Sequence, residues 1–80
     1  MINPNLGKKL GKALKNEREK KEFTQDELAS KADITLRMLQ KYEAGDRRPN
    51  YENLFQICKA LDLDPAVVIK LMFEQWKKDL

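Results

Sequence analysis

Histidine is absent from this 80-residue chain, and cysteine occurs once, at Cys58. Zinc and haem sites draw mainly on those two residue types, so neither group is expected, and no cofactor is implied. A lone cysteine has no partner for an internal disulfide, which points to a reducing, cytoplasmic setting. No apolar run approaches the roughly 20 residues that span a bilayer. The opening "MINPNLGKKLGK" lacks the apolar stretch of a secretory signal, so no membrane partner is expected. The chain has no Gly-rich phosphate loop, no GxSxG and no paired acid–base cluster, so it is read as not an enzyme. No small-molecule ligand is evident. Glycine and proline are limited to three each and fall near segment ends, except Gly7 and Gly11.

The residues that are present describe one folded domain spanning 1–80. Hydrophobic residues make up 41% and charged residues 36%, a globular balance. The net charge is +3 and the isoelectric point about 9.1. A mild basic excess suits nucleic acid or an anionic surface, although many proteins of this charge bind neither.

Hydrophobic periodicity gives five helical segments with no strand pattern and no repeat. The first spans about Leu6 to Lys21, with Leu6, Leu10 and Leu14 on one stripe. Gly7 and Gly11 each weaken it by roughly 1 kcal/mol relative to alanine. The second starts at Thr24, where "TQDE" forms a capping box and Phe23 with Leu28 a hydrophobic staple. It ends around Ala32. Thr35 caps the third helix, which stops before a left-handed Gly45. Asn50 caps a fourth helix from Tyr51 to about Leu61, whose stripe is Leu54, Ile57, Cys58 and Leu61. Cys58 is therefore read as core. Asp64 and Pro65 open a fifth helix over 65–78. The fold class is a compact all-α, five-helix domain.

The third helix, inside "ITLRMLQKYEAG", has two faces. With Leu39 inward and a turn of about 100° per residue, Tyr42, Glu43 and Thr35 fall on the inner side. Arg37, Lys41 and Ala44 point outward, Leu36 and Gln40 lie on one shoulder, and Met38 on the other. A short helix with a basic outer face, joined tightly to another short helix, is the geometry of a DNA-reading helix-turn-helix. A solvated charged face fits the same pattern. Glu43, turned partly inward, needs a cationic partner, and Arg18 is the candidate.

"FTQDELASKADITLRMLQKYEAGDRRP" resembles the phage-repressor and Cro-type (Xre-like) helix-turn-helix family, in a lambda-repressor-like fold. The matching residues are Phe23, Thr24-Gln25, Leu28-Ala29, Glu43, Gly45, Arg47-Arg48 and Pro49. Arg18 and "NYENLFQICKALDLDPAVV" extend the resemblance over roughly Leu10 to Ile69. It implies sequence-specific binding to duplex DNA, usually by a homodimer on a palindromic operator, with the helix-turn-helix at 24–44. It also implies a backbone-phosphate contact for Gln25 and a structural salt bridge between Arg18 and Glu43. The sequence departs from the family pattern at Glu17, where an apolar residue is frequent. It departs again at Asp33, in place of a small turn residue, and at Leu36, an early recognition-helix position that is often polar.

The base-contact candidates are Thr35, Leu36, Arg37, Gln40 and Lys41. Arginine bidentate to guanine is the commonest specific pairing, so Arg37 leads. Gln40 suits adenine, Lys41 guanine or a phosphate, and Leu36 a thymine methyl or helix packing. Gln25, Lys31, Arg47 and Arg48 are candidates for phosphates. The fifth helix carries apolar residues on more than one face, which implies a second buried surface. A twofold contact through Ile69, Met72, Phe73 and Trp76 would make it the dimerisation element; the competing arrangement folds it back on the first helix. The sequence thus reads as a DNA-binding transcriptional regulator. The alternative is a protein-interaction module on the same fold, such as an antitoxin or anti-repressor partner.

Overall fold

The computed structural model describes residues 4–79, and for Pro4 the backbone alone. The first three residues of the opening read for a signal, and residue 80, lie outside it. Five helices follow in order: α1 Pro4–Lys20, α2 Gln25–Ala32, α3 Leu36–Ala44, α4 Tyr51–Ala60 and α5 Pro65–Lys78. Among the described residues there is no strand. α1 starts two residues before the expected Leu6, because a proline is tolerated in a first turn, where its missing N–H would be unpaired anyway.

Local side chains start the remaining helices. The Thr24 hydroxyl accepts from the Glu27 amide at 3.1 Å, and the Glu27 carboxylate accepts from the Thr24 amide at 2.9 Å. This reciprocal pair holds the Glu27 carboxyl below its ordinary value, chiefly through the Thr24 backbone bond. Thr35 caps the Met38 amide at 3.1 Å, Asn50 caps Asn53 at 2.7 Å, and Asp64 caps Ala66 at 2.9 Å.

The ends of α1 to α4 share one device, whereas α5 closes at Asp79 with φ of −86°. Glu22, Asp33, Gly45 and Asp62 have φ of 58°, 57°, 79° and 53°. In each case the left-handed residue donates its amide four positions back, counting itself. The next residue donates six back, to Arg18, Ala29, Lys41 and Cys58 respectively. This is the Schellman closure, which satisfies carbonyls that the helix leaves open. After three of these turns the next residue is Phe23, Ile34 or Leu63, and each packs against the core.

α1 lies against α3 on one side and α5 on the other, while α2 packs on α3 and α4. The core draws Leu10 and Leu14 from α1, Leu28, Ala29 and Ala32 from α2, and Leu39 and Tyr42 from α3. Leu54, Ile57 and Cys58 of α4, then Leu61 and Val68, complete it. Burial pushes the Cys58 thiol above its usual value and keeps it protonated. Gly11 makes the α1–α3 approach possible: a Cβ there would stand 2.4 Å from the Tyr42 carbonyl oxygen and 2.6 Å from that of Glu43. The sequence reading counted this glycine only as a weakness of α1, but it is where the two backbones meet.

Candidate nucleic-acid interface

The helix-turn-helix consists of α2, the Asp33–Thr35 turn and α3. Leu39 and Tyr42 are buried, which fixes the roll of α3 and leaves Arg37 and Gln40 exposed. Lys41 is half-buried. Thr35 is exposed, but its hydroxyl oxygen already accepts the Met38 amide. Leu36 and Met38, one from each shoulder of the helical wheel, are half-buried and pack on the core, whereas Gln40, on the Leu36 shoulder, stays exposed.

The candidate phosphate ligands lie on α2 and in the loop between α3 and α4. Arg47 and Arg48 are exposed in the loop between α3 and α4. Arg48 runs beside the start of α1, its Nε 3.7 Å and its Cγ 3.8 Å from where a Gly7 Cβ would be. Lys31, on the last turn of α2, places its ammonium 5.2 Å from the centre of the Phe23 ring, a cation–π contact. Gln25 does not lie wholly free on the surface. It is half-buried, and its Nε2 donates to Glu43 Oε1 at 3.1 Å.

Glu43 is the centre of a closed network behind α3. Arg18 Nε donates to Oε2 at 2.8 Å and Nη2 to Oε1 at 3.1 Å, a bidentate fork. Arg18 Nη1 donates to the Phe23 carbonyl at 2.8 Å, tying the end of α1 to the residue before the α2 cap. The side chains of Arg18 and Glu43 are only 10% and 3% exposed, and among the described residues no buried side-chain polar atom is left unpaired. The hydrogen bond to Glu43 raises the Arg18 pKa further above its usual value. A second link, from Asn53 Nδ2 to the Tyr42 hydroxyl at 2.8 Å, ties α3 to α4.

The dimerisation candidates divide between two faces of α5. Met72 packs on the core, whereas Ile69, Phe73 and Trp76 are 52%, 54% and 44% exposed. The Phe73 and Trp76 rings stack at 5.9 Å, and the Lys77 ammonium sits 5.3 Å from the Phe73 centre. α5 also lies back on α1 through its inner stripe. The helix is therefore folded back on α1 along one side, as the competing arrangement had it, while an apolar side stays exposed.

The helix-turn-helix family model matches residues 14–68, which hold the capped turn, the Arg18–Glu43 fork and the exposed face of α3. The chain belongs to the Cro-type helix-turn-helix family. This is a family of DNA-binding transcriptional regulators, not of enzymes. Over 57 residues the chain is 37% identical to an uncharacterised HTH-type transcriptional regulator, YqaE of Bacillus subtilis, covering 71% of this chain and 49% of that protein. The chain thus spans about half the length of the curated relative it matches. The clp gene regulator ClgR from C. glutamicum superposes with a TM-score of 0.78 at 30% identity, over 88% of this chain and 91% of its own. The restriction-modification controller protein C.AhdI from Aeromonas hydrophila gives 0.77 at 26%, over 82% and 98%. No helix of the described residues of this helix-turn-helix chain is long and apolar enough to cross a membrane.

Sequence reasoning missed two features. The Gln25–Glu43 bond joins residues 18 positions apart, and no local pattern announces it. Tyr51 and Phe55, 80% and 51% exposed, stack at 6.5 Å on α4. Their spacing of four was a visible signal for a second exposed aromatic pair.

Proposed function

We propose that this chain is a sequence-specific duplex-DNA-binding regulator that lays α3 in a major groove and acts as a homodimer on a palindromic operator. The observation that carries the reading is the outer face of α3. Arg37 and Gln40 project from a helix whose roll is fixed by buried Leu39 and Tyr42, and Arg47 and Arg48 flank it. A rigid support behind two long polar side chains suits base reading, because little ordering remains to be done on binding. Lys41 and Thr35 adjoin the same face, and Leu36 has only its exposed edge to offer a thymine methyl. Arg47, Arg48, Lys31 and Gln25 then hold the backbone and set the register. The open side of α5, with Ile69, Phe73 and Trp76, supports self-association, and Met72 backs it from the core side.

Selection of bound duplexes from a random pool tests this reading. The expected result is an enriched palindrome with half-sites about one helical turn, roughly 34 Å, apart. Affinity should fall steeply with salt as condensed counterions are released. No enrichment would favour a protein-interaction module such as an antitoxin or anti-repressor partner.

A further inference from the structure

We propose that Glu43 is a positioning residue for DNA-backbone binding: its Oε1 holds the Gln25 amide in the orientation that donates to a phosphate. The inference rests on the reading above that the chain binds duplex DNA.

Gln25 is the first residue of α2, and Glu43 stands near the end of α3, so the contact spans the helix-turn-helix. Glu43 Oε1 accepts from both Gln25 Nε2 and Arg18 Nη2 at 3.1 Å, while Oε2 accepts from Arg18 Nε at 2.8 Å. A carboxylate only accepts, so the nitrogen of the Gln25 amide, not its oxygen, must face Glu43. One of its two N–H groups is spent on that bond and the other remains to donate outward. A glutamine held in this way loses less rotamer freedom on docking than an unrestrained one.

Charge explains why the third member is needed. A bare carboxylate beside Gln25 would repel an approaching phosphate. The bidentate Arg18 guanidinium neutralises it, and the pair presents no net charge. Arg18 therefore anchors and neutralises, Glu43 orients, and Gln25 makes the contact.

The test measures the full chain on a duplex selected from the random pool and on an unrelated duplex. Gln25→Met should weaken both by a similar factor, about tenfold, and leave the salt slope unchanged, because an uncharged amide releases no counterion. Glu43→Gln should weaken both in the parent chain, although it adds one net positive charge, and should weaken neither once Gln25 is Met. Equal losses in both backgrounds would mean that Glu43 acts only through the packing of α3, and would overturn the proposal. Unchanged affinity in Gln25→Met would also overturn it while leaving the DNA reading intact; a parent chain that binds no duplex would remove the reading itself. Should Glu43→Gln fail to fold, the Gln25 side-chain amide decides by NMR in the parent chain, assigned by its loss in Gln25→Met. One of its protons should shift on adding the selected duplex while the other stays. Two protons that both ignore the duplex would contradict the proposal.

Discussion

Arg37 and Arg48 carry the same charge in different settings, and under the proposed function that difference separates base reading from backbone holding. Arg37 leaves the outer face of α3, whereas Arg48 lies in the loop beside the start of α1. Arg37→Ala should cost about 1–3 kcal/mol at one base pair and relax preference there. Arg48→Ala should weaken all duplexes alike and reduce the salt slope by about one. Titrating both variants against single-base operator variants at several salt concentrations checks the split; matching sequence profiles would refute it. Behind the face, the Arg18–Glu43 fork behaves by a different rule. Removing one member strands a buried charge, so Glu43→Ala should destabilise the fold by about 3–5 kcal/mol in urea unfolding. Replacing both members with apolar residues of similar volume should cost far less. Glu27 supplies a pH dependence. Its folded pKa is depressed, so its contribution is present above the unfolded carboxylate value and is lost as pH falls through the lower folded value. Stability curves of Glu27→Gln and the parent chain should therefore converge on the acid side.

The starts of α2 to α5 were legible in the sequence and every helix end was placed to within one residue, but the left-handed turn at Glu22 was not read, for a physical reason. Thr24, Thr35, Asn50 and Asp64 cap amides two or three residues away, so type and spacing suffice to find them. The Schellman closure at Glu22 places an ordinary side chain at positive φ, a cost that the surrounding fold imposes and that composition does not reveal. Gly45 and Asp33 were readable because glycine and aspartate tolerate that region. Glu22→Gly should relieve the strain and stabilise the domain by up to about 1 kcal/mol, visible as a higher urea midpoint with unchanged slope. Gly11 illustrates the opposite limit. As a helical glycine it suggests gain from alanine, yet α3, some 30 positions later, occupies the space where a Cβ would go. Gly11→Ala should lower stability by about 1–3 kcal/mol, because the backbone of α3 has to move. In the candidate site the same division holds. Periodicity found the outward Arg37 and the inward Glu43, while the Gln25–Glu43 bond depends on how two helices meet.

At the scale of the whole molecule, α5 carries more apolar surface than its buried side uses. Val68 is buried and Met72 packs on the core, which uses one side of the helix. Ile69, Phe73 and Trp76 remain about half exposed on the other, with two rings stacked. Exposing two stacked rings to water on a domain this small is unfavourable unless another surface covers them, and a second copy offers an identical face about a twofold axis. The consequence for DNA follows from multivalency. Two linked reading heads bind a palindrome with an effective local concentration that one head lacks, so dimer loss should damage palindrome binding without altering half-site contacts. Phe73→Glu puts a charge into the proposed contact while keeping the monomer sound. Phe73 is exposed, and a glutamate four residues before Lys77 supports a helix. Sedimentation equilibrium should show a dimer for the parent chain and a monomer for the variant. The variant should bind a single half-site duplex as the parent does, but the full palindrome much more weakly. A variant that stays dimeric would move the twofold contact to another surface, with the exposed Tyr51–Phe55 pair on α4 the next to substitute.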